Sequence, residues 1–235
     1  MKLRIAASAT LMVLAAALSG LAWRHSPPSR MILDLVAVPV EGGVLLVSRH
    51  EVSIAEWQLC FDAGGCSFKP RPGPGAIGEN FPVTGVNWLD VNEYAAWARH
   101  RSGLPLRLPT LAEWNAMDHK PAADQRPKLF TDPRLAWAAG YETSAAQPPR
   151  LKISGSFKPT PEGVADVGGN VWEWTATCVS TGFANYDSAR CPAYVAAGEH
   201  EAVIPVFVRD PVTGGCALGT PPAHLGFRLV ADELN

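Results

Sequence analysis

Three places in the sequence carry side chains whose types and spacing suit chemistry. The first is the stretch Asp166 to Glu173. Asp166 and Glu173 are hard oxygen donors, and the backbone carbonyls of Gly169 and Val171 lie between them. Carboxylates alternating with carbonyls in a loop suit calcium, which takes about 6–8 oxygen ligands at roughly 2.3–2.6 Å. The plainer alternative is a turn in which Glu173 makes a salt bridge. The second place is Gly198-Glu199-His200-Glu201, an imidazole between two carboxylates, a donor set suited to iron, zinc or copper(II). Adjacent residues of a strand point to opposite faces, so all three cannot reach one ion from a strand, and a solvated acidic loop is the plainer reading. The third is Cys216, within Thr213-Gly214-Gly215-Cys216-Ala217. No basic residue stands beside it to lower its pKa. It is either an inert thiol or a nucleophile or single metal ligand, and the sequence leaves both open.

The chain has five cysteines. Cys60 and Cys66 flank the turn Ala63-Gly64-Gly65, and Cys178 and Cys191 flank a polar loop. Proximity pairs them in that way, which leaves Cys216 over.

The elements that must position these groups are short. Proline and glycine each number 21 and interrupt the chain every few residues, which excludes long helices and broad sheets. Eight tryptophans supply large rings for a core. The expected class is α+β, loop-rich, with short helices and small antiparallel sheets. Met31 to Val40 and Val44 to Val47, around Gly42-Gly43, predict a hairpin. Three capping boxes predict helix starts: Ser53 with Glu56, Asp90 with Glu93, and Thr110 with Glu113. The second helix carries Tyr94 and Trp97 on one face and ends near Gly103. Residues 120 to 163 read as mostly loop, with Pro133, Pro148, Pro149, Pro159 and Pro161 forbidding long regular elements. Val203 to Val208 reads as a strand interrupted by Pro205, and Phe227 to Val230 as the last strand.

The net charge of −2 argues against electrostatic binding to nucleic acid. Residues 1–23 read as an export segment: Lys2 and Arg4 precede an apolar run from Ile5 to Trp23. A cleaved signal and a retained N-terminal membrane anchor both fit. Residues 24–32 read as a linker and residues 33–235 as one domain. Export implies a periplasmic location and permits disulfides.

Four motifs stand in order along that domain: His50-Glu51-Val52-Ser53; Phe81 to Trp88; Arg107-Leu108-Pro109-Thr110-Leu111-Ala112-Glu113-Trp114; and Gly169-Asn170-Val171-Trp172-Glu173-Trp174-Thr175, followed by Leu225-Gly226-Phe227-Arg228. Together they resemble the formylglycine-generating, or sulfatase-modifying, enzyme family, whose relatives include pyoverdine-maturation proteins. The resemblance covers residues 33 to 231. It implies a compact α+β fold distantly like C-type lectins, with structural calcium, and family members use the Asp166 to Glu173 stretch for that ion. It makes Arg107, Glu113, Trp114, Trp174 and Arg228 architectural. Trp172 matches a family tryptophan near the substrate cleft.

The active site departs from the family. The enzymes hold copper between two cysteines five positions apart, after a Gly-Gly-Ser stretch and before the final Gly-Phe-Arg. The corresponding stretch here, Tyr194 to Asp210, has no cysteine, and His200 and Pro205 fall near the two thiol positions. Gly214-Gly215-Cys216 lies too close to the C-terminus to replace it. The resemblance therefore implies a chain without the standard oxidation of a cysteine to formylglycine, and whether it is an enzyme stays open. The leading expectation is an exported accessory or maturation protein acting on another exported protein or a metabolite. Val208-Arg209-Asp210-Pro211 and the His224 to Arg228 ending resemble a branch found beside copper nitrite reductase genes. One alternative is a metal-dependent oxidase with a site rebuilt on His200 or Cys216 and a redox metal. Another is a non-catalytic module binding peptide or glycan.

Overall fold

The reversal at Gly42 sets the first sheet. Gly42 and Gly43 have φ of 95° and 154°, the first a region that favours glycine. Strands β1 (Leu35–Val40) and β2 (Gly43–Ser48) therefore pair antiparallel in the register Val40↔Gly43 to Leu35↔Ser48. The structure is a computed structural model and describes residues 33–71, 76, 78–119, 150–179, 191–198, 201–211 and 224–233. The export segment, the linker, most of the 120 to 163 loop, His200 and Cys216 lie outside those residues.

Three helices follow: α1 (Ile54–Asp62), α2 (Trp88–Ser102) and α3 (Leu111–Asp118). Ser53 and Thr110 cap α1 and α3 as predicted, each taking a backbone N–H at 3.2 Å while Glu56 or Glu113 reaches back. The second cap is a correction. Asn87, not Asp90, is the cap residue, and Asp90 is its partner, with both bonds at 2.9 Å. Asn87 is extended and accepts from Asp90, so the helix starts earlier than the Asp90–Glu93 spacing predicts. Glu93 instead accepts from the Ser67 backbone and hydroxyl. Gly103 closes α2 in the left-handed conformation (φ 76°), as helix ends favour.

The second sheet has the order β5-β4-β3-β6: β3 (Trp172–Cys178), β4 (Ala193–Ala197), β5 (Glu201–Pro205) and β6 (Leu225–Gly226). β3 and β6 run parallel, so this sheet is mixed rather than antiparallel as predicted. β5 ends at Pro205, which has no N–H to continue the ladder. The predicted last strand, Phe227 to Val230, falls instead mostly between two short strands. β6 stops at Gly226, the chain crosses between sheets over Phe227 to Leu229, and β7 (Val230–Asp232) joins β2. Ser48 donates to Leu229 at 2.9 Å and Val52 to Phe227 at 2.9 Å, so the crossing is held by the segment after β2.

Two packed regions result. Val36, Val38, Leu45 and Val47 alternate inward from the first sheet onto Trp114 and Met117 of α3. Trp57 stacks on Tyr94 at 5.6 Å, and Phe227 meets both rings edge-on. The disulfides Cys60–Cys66 and Cys178–Cys191 form as paired from sequence.

Candidate functional site

β3 carries three consecutive fully buried residues, Glu173, Trp174 and Thr175. Burial on both faces obliges each polar group to find a protein partner. The Trp174 indole donates to the Val86 carbonyl at 3.0 Å, and the Thr175 hydroxyl to Val195 at 2.8 Å. Glu173 is held by Arg228 through two parallel bonds of 2.7 and 2.6 Å, and it also accepts the Trp114 indole N–H at 3.0 Å. Both side chains of this ion pair are 0% exposed. Arg228 donates further to the carbonyls of Ser48, Arg49 and Ala165. One guanidinium thus ties together the end of β2, the loop before β3, and β3 itself. The planar fork suits this, because lysine offers no paired donors.

Asp166, φ 61°, is fully buried, and its carboxylate accepts backbone N–H groups from Gly155 and, at 2.8 Å, Phe157. Of the residues expected to hold calcium with the Gly169 and Val171 carbonyls, Glu173 spends its oxygens on the Arg228 guanidinium and the Trp114 indole, and Asp166 spends its own on two backbone N–H groups. The salt-bridge alternative for Glu173 is the one the fold realises. Glu51, noted from sequence only within a motif, also lies in this centre, 1% exposed with neither oxygen hydrogen-bonded.

Arg107 grips Glu113 with bonds of 2.8 and 2.7 Å and reaches Asp232 at 2.7 Å, pinning α3 to β7. Burial pushes the Glu113 carboxyl up, but the bonds from Arg107 and Thr110 outweigh it and hold it below its usual value. Trp114, Trp174 and Arg228 are buried in the core.

The face expected to hold the cleft is built by β3 and the β4–β5 hairpin. Trp172 is half-buried at the start of β3, with its ring against Gly198 at the end of β4; a methyl at Gly198 would lie 2.5 Å from that ring. Toward the other end of the β3–β4 pair, Trp88 and Tyr194 stack at 3.8 Å with planes 6° apart, and the Trp88 N–H is held by the Thr175 carbonyl at 3.1 Å. Phe207, 67% exposed, follows β5 and accepts from Asn87 through its carbonyl. Arg209 pairs bidentately with Asp90 at 2.7 and 2.8 Å and lies over the Phe68 ring at 3.9 Å. Among the described residues of the Tyr194 to Asp210 stretch there is no thiol. The Gly198→Ala variant should displace Trp172 and alter the near-ultraviolet circular dichroism, with a stability loss of about 1–3 kcal/mol in denaturant unfolding.

A separate cavity of about 640 Å³ lies between the end of α3 and the loop before β3, lined by Asp118, His119, Phe157, Thr160, Val167 and Gly168 among others. His119 Nε2 stands 2.8 Å from Glu162. Neither the expected cleft tryptophan nor any of the other singled-out side chains lines it among the described residues. Sequence reading missed the Asp90–Arg209 pair and this cavity. Asp90 was visible as a cap signal, but no local pattern links residues 119 positions apart.

The sulfatase-modifying factor enzyme 1-like domain family matches residues 40–233. A formylglycine-generating enzyme of Thermomonospora curvata is 30% identical over 152 residues, 55% of this chain and 44% of that relative, so the match spans less than half of the relative's length. Among solved structures, PvdO from Pseudomonas aeruginosa aligns with a TM-score of 0.50 at 22% identity, covering 85% of this chain and 91% of that one. Treponema denticola variable protein 1 aligns with a TM-score of 0.50 at 17% identity, covering 87% and 93%. These two likenesses establish the fold.

Proposed function

The chain belongs to the sulfatase-modifying factor enzyme 1-like domain family, and from that membership we propose that it is an exported maturation or accessory protein. It binds a peptide segment of another exported protein, or a small metabolite, on the face formed by Trp172, Trp88 and Tyr194. It does so without paired-thiolate copper chemistry. The observation that carries this reading is the hairpin β4–β5. It brings Gly198 against Trp172, where the family cleft is expected, yet the sequence from Tyr194 to Asp210 offers no cysteine to make the soft two-sulfur site copper(I) prefers. Two disulfides support an oxidising compartment such as the periplasm. In its narrowest form the proposal makes an exported copper nitrite reductase the client.

The test is direct. The full chain, supplied with copper(I) and oxygen, is incubated with a cysteine-containing peptide, and the product is read by mass spectrometry. Unchanged cysteine is expected. Conversion to formylglycine would overturn the proposal. In parallel, binding of a candidate client metalloenzyme should weaken at least tenfold in Gly198→Ala, a change of about 1.4 kcal/mol. Equal binding by both chains would remove this face from the reading.

A further inference from the structure

The two disulfides sit in opposite surroundings. Cys60 and Cys66 are 0% and 3% exposed. Cys178, at the end of β3, is exposed, and its partner Cys191 is half-buried. Exchange begins when a thiolate attacks one sulfur of a disulfide, so access decides which bond reacts. The outer sulfur, that of Cys178, is the one an incoming thiolate can reach, and the inner sulfur of Cys191 is then the leaving group. The Ala193 carbonyl oxygen stands 2.9 Å from Cys191 Sγ, placed to accept the proton of the thiol that forms when the bond opens. That carbonyl also takes the Val179 N–H at 3.0 Å, which its second lone pair allows. The chain on each side is held by bonds other than the disulfide. Val179 fixes the end of β3 in this way, and the Val206 N–H holds the Pro192 carbonyl at 3.0 Å, next to Cys191. The two sulfurs therefore stay together when reduced. Tyr194 stands directly opposite Cys178, and opposite residues of an antiparallel pair share a face. Because Tyr194 stacks on Trp88, the disulfide borders the aromatic surface to which a client is assigned.

We propose that Cys178–Cys191 is an exchangeable disulfide that oxidises a pair of thiols on an exported client protein. The inference rests on the reading of the neighbouring face as a client-binding surface. In the first step a client thiolate attacks Cys178 Sγ. A bond forms between the client sulfur and Cys178, the Cys178–Cys191 bond breaks, and Cys191 leaves as a thiolate that takes up a proton and donates it to the Ala193 carbonyl. In the second step the client's other thiolate attacks the client sulfur of that mixed disulfide. The client disulfide closes, and Cys178 leaves as a thiolate and is protonated. Two electrons and two protons pass from the client dithiol to the protein disulfide, so one turnover needs no other oxidant. A client with a single cysteine cannot complete the second step. The adjacent Cys191 thiol reverses the first and releases that client unchanged, in keeping with the unchanged cysteine expected above.

The experiment incubates the full native chain with two reduced probes in turn, dithiothreitol and a peptide carrying a Cys-x-x-Cys pair. Free thiols are blocked with N-ethylmaleimide at intervals, and proteolytic fragments are mapped by mass spectrometry. Cys178–Cys191 should open on the order of 100-fold faster than Cys60–Cys66, which must first be exposed by local unfolding. The peptide should lose two hydrogens as its own disulfide closes. A single-cysteine peptide, trapped by rapid blocking, should be found on Cys178 with Cys191 alkylated. The proposal is refuted if both disulfides open at one rate, if Cys178–Cys191 opens only in denaturant, if the dithiol peptide stays reduced, or if the trapped peptide sits on Cys191. The dithiothreitol arm makes no use of the client face. Its failure strikes this inference alone, whereas the Gly198→Ala binding assay judges the face separately.

Discussion

Arg228→Met should unfold this domain under conditions where the wild type is stable, with an expected loss of about 3–5 kcal/mol. Methionine fills much of the arginine's volume, so the loss is electrostatic rather than a cavity effect. It leaves Glu173 ionised at 0% exposure, with the Trp114 indole as its remaining donor, and takes the guanidinium donors from the carbonyls of Ser48, Arg49 and Ala165, of which Arg49 keeps the Ala165 N–H at 2.8 Å. Domains of this kind are typically stable by about 5–15 kcal/mol, so one residue removes a large share. The double variant Glu173→Leu with Arg228→Met should recover part of the loss, because it removes the stranded charge as well as its partner. Recovery will be incomplete, since these carbonyls still lack the donors that Arg228 supplied. Denaturant unfolding followed by tryptophan fluorescence measures all three variants. A double variant no more stable than Arg228→Met would mean that the backbone ties, and not the ion pair, dominate.

Trp174→Ala should cost about 3–5 kcal/mol, the range for deleting a fully buried large ring. Trp174 is 0% exposed and stands between the buried pair of Glu173 and the Val86 carbonyl that accepts its indole N–H at 3.0 Å. Trp174→Phe separates the two contributions. It keeps most of the apolar volume but strands the buried carbonyl, a penalty of about 1–3 kcal/mol. Thermal unfolding of the three proteins checks the order wild type, phenylalanine, alanine. A phenylalanine variant as unstable as the alanine one would show that the hydrogen bond outweighs the packing.

The positions of these residues show how far a sequence can be read. Ser53 with Glu56 and Thr110 with Glu113 fixed two helix starts because a capping box is a local device, closed within four residues. The hairpin at Gly42-Gly43 and the two disulfides were legible for the same reason: their partners are near in sequence. The Asp90 signal was real but shifted, because Asn87 makes the same local bonds one turn earlier and Asp90 has a second partner in Arg209. The last strand was read over Phe227 to Val230, an apolar run broken by Arg228 alone. Only the inward turn of Arg228 divides it between two sheets.

The expected calcium set illustrates the opposite limit. Residue type marked Asp166 and Glu173 as hard oxygen donors. It could not say which positive group meets Glu173, because Arg228 lies 55 residues beyond it.

Chemical identity along the chain thus determined the family, the capped helices, the disulfide pairs and the absence of cysteine from residues 194 to 210. Each follows from residue types at short range or from motif order. Tertiary structure alone decided which arginine each carboxylate meets and which tryptophan rests on a glycine. Charge and burial are properties of neighbours in space, and those neighbours come from distant parts of the chain.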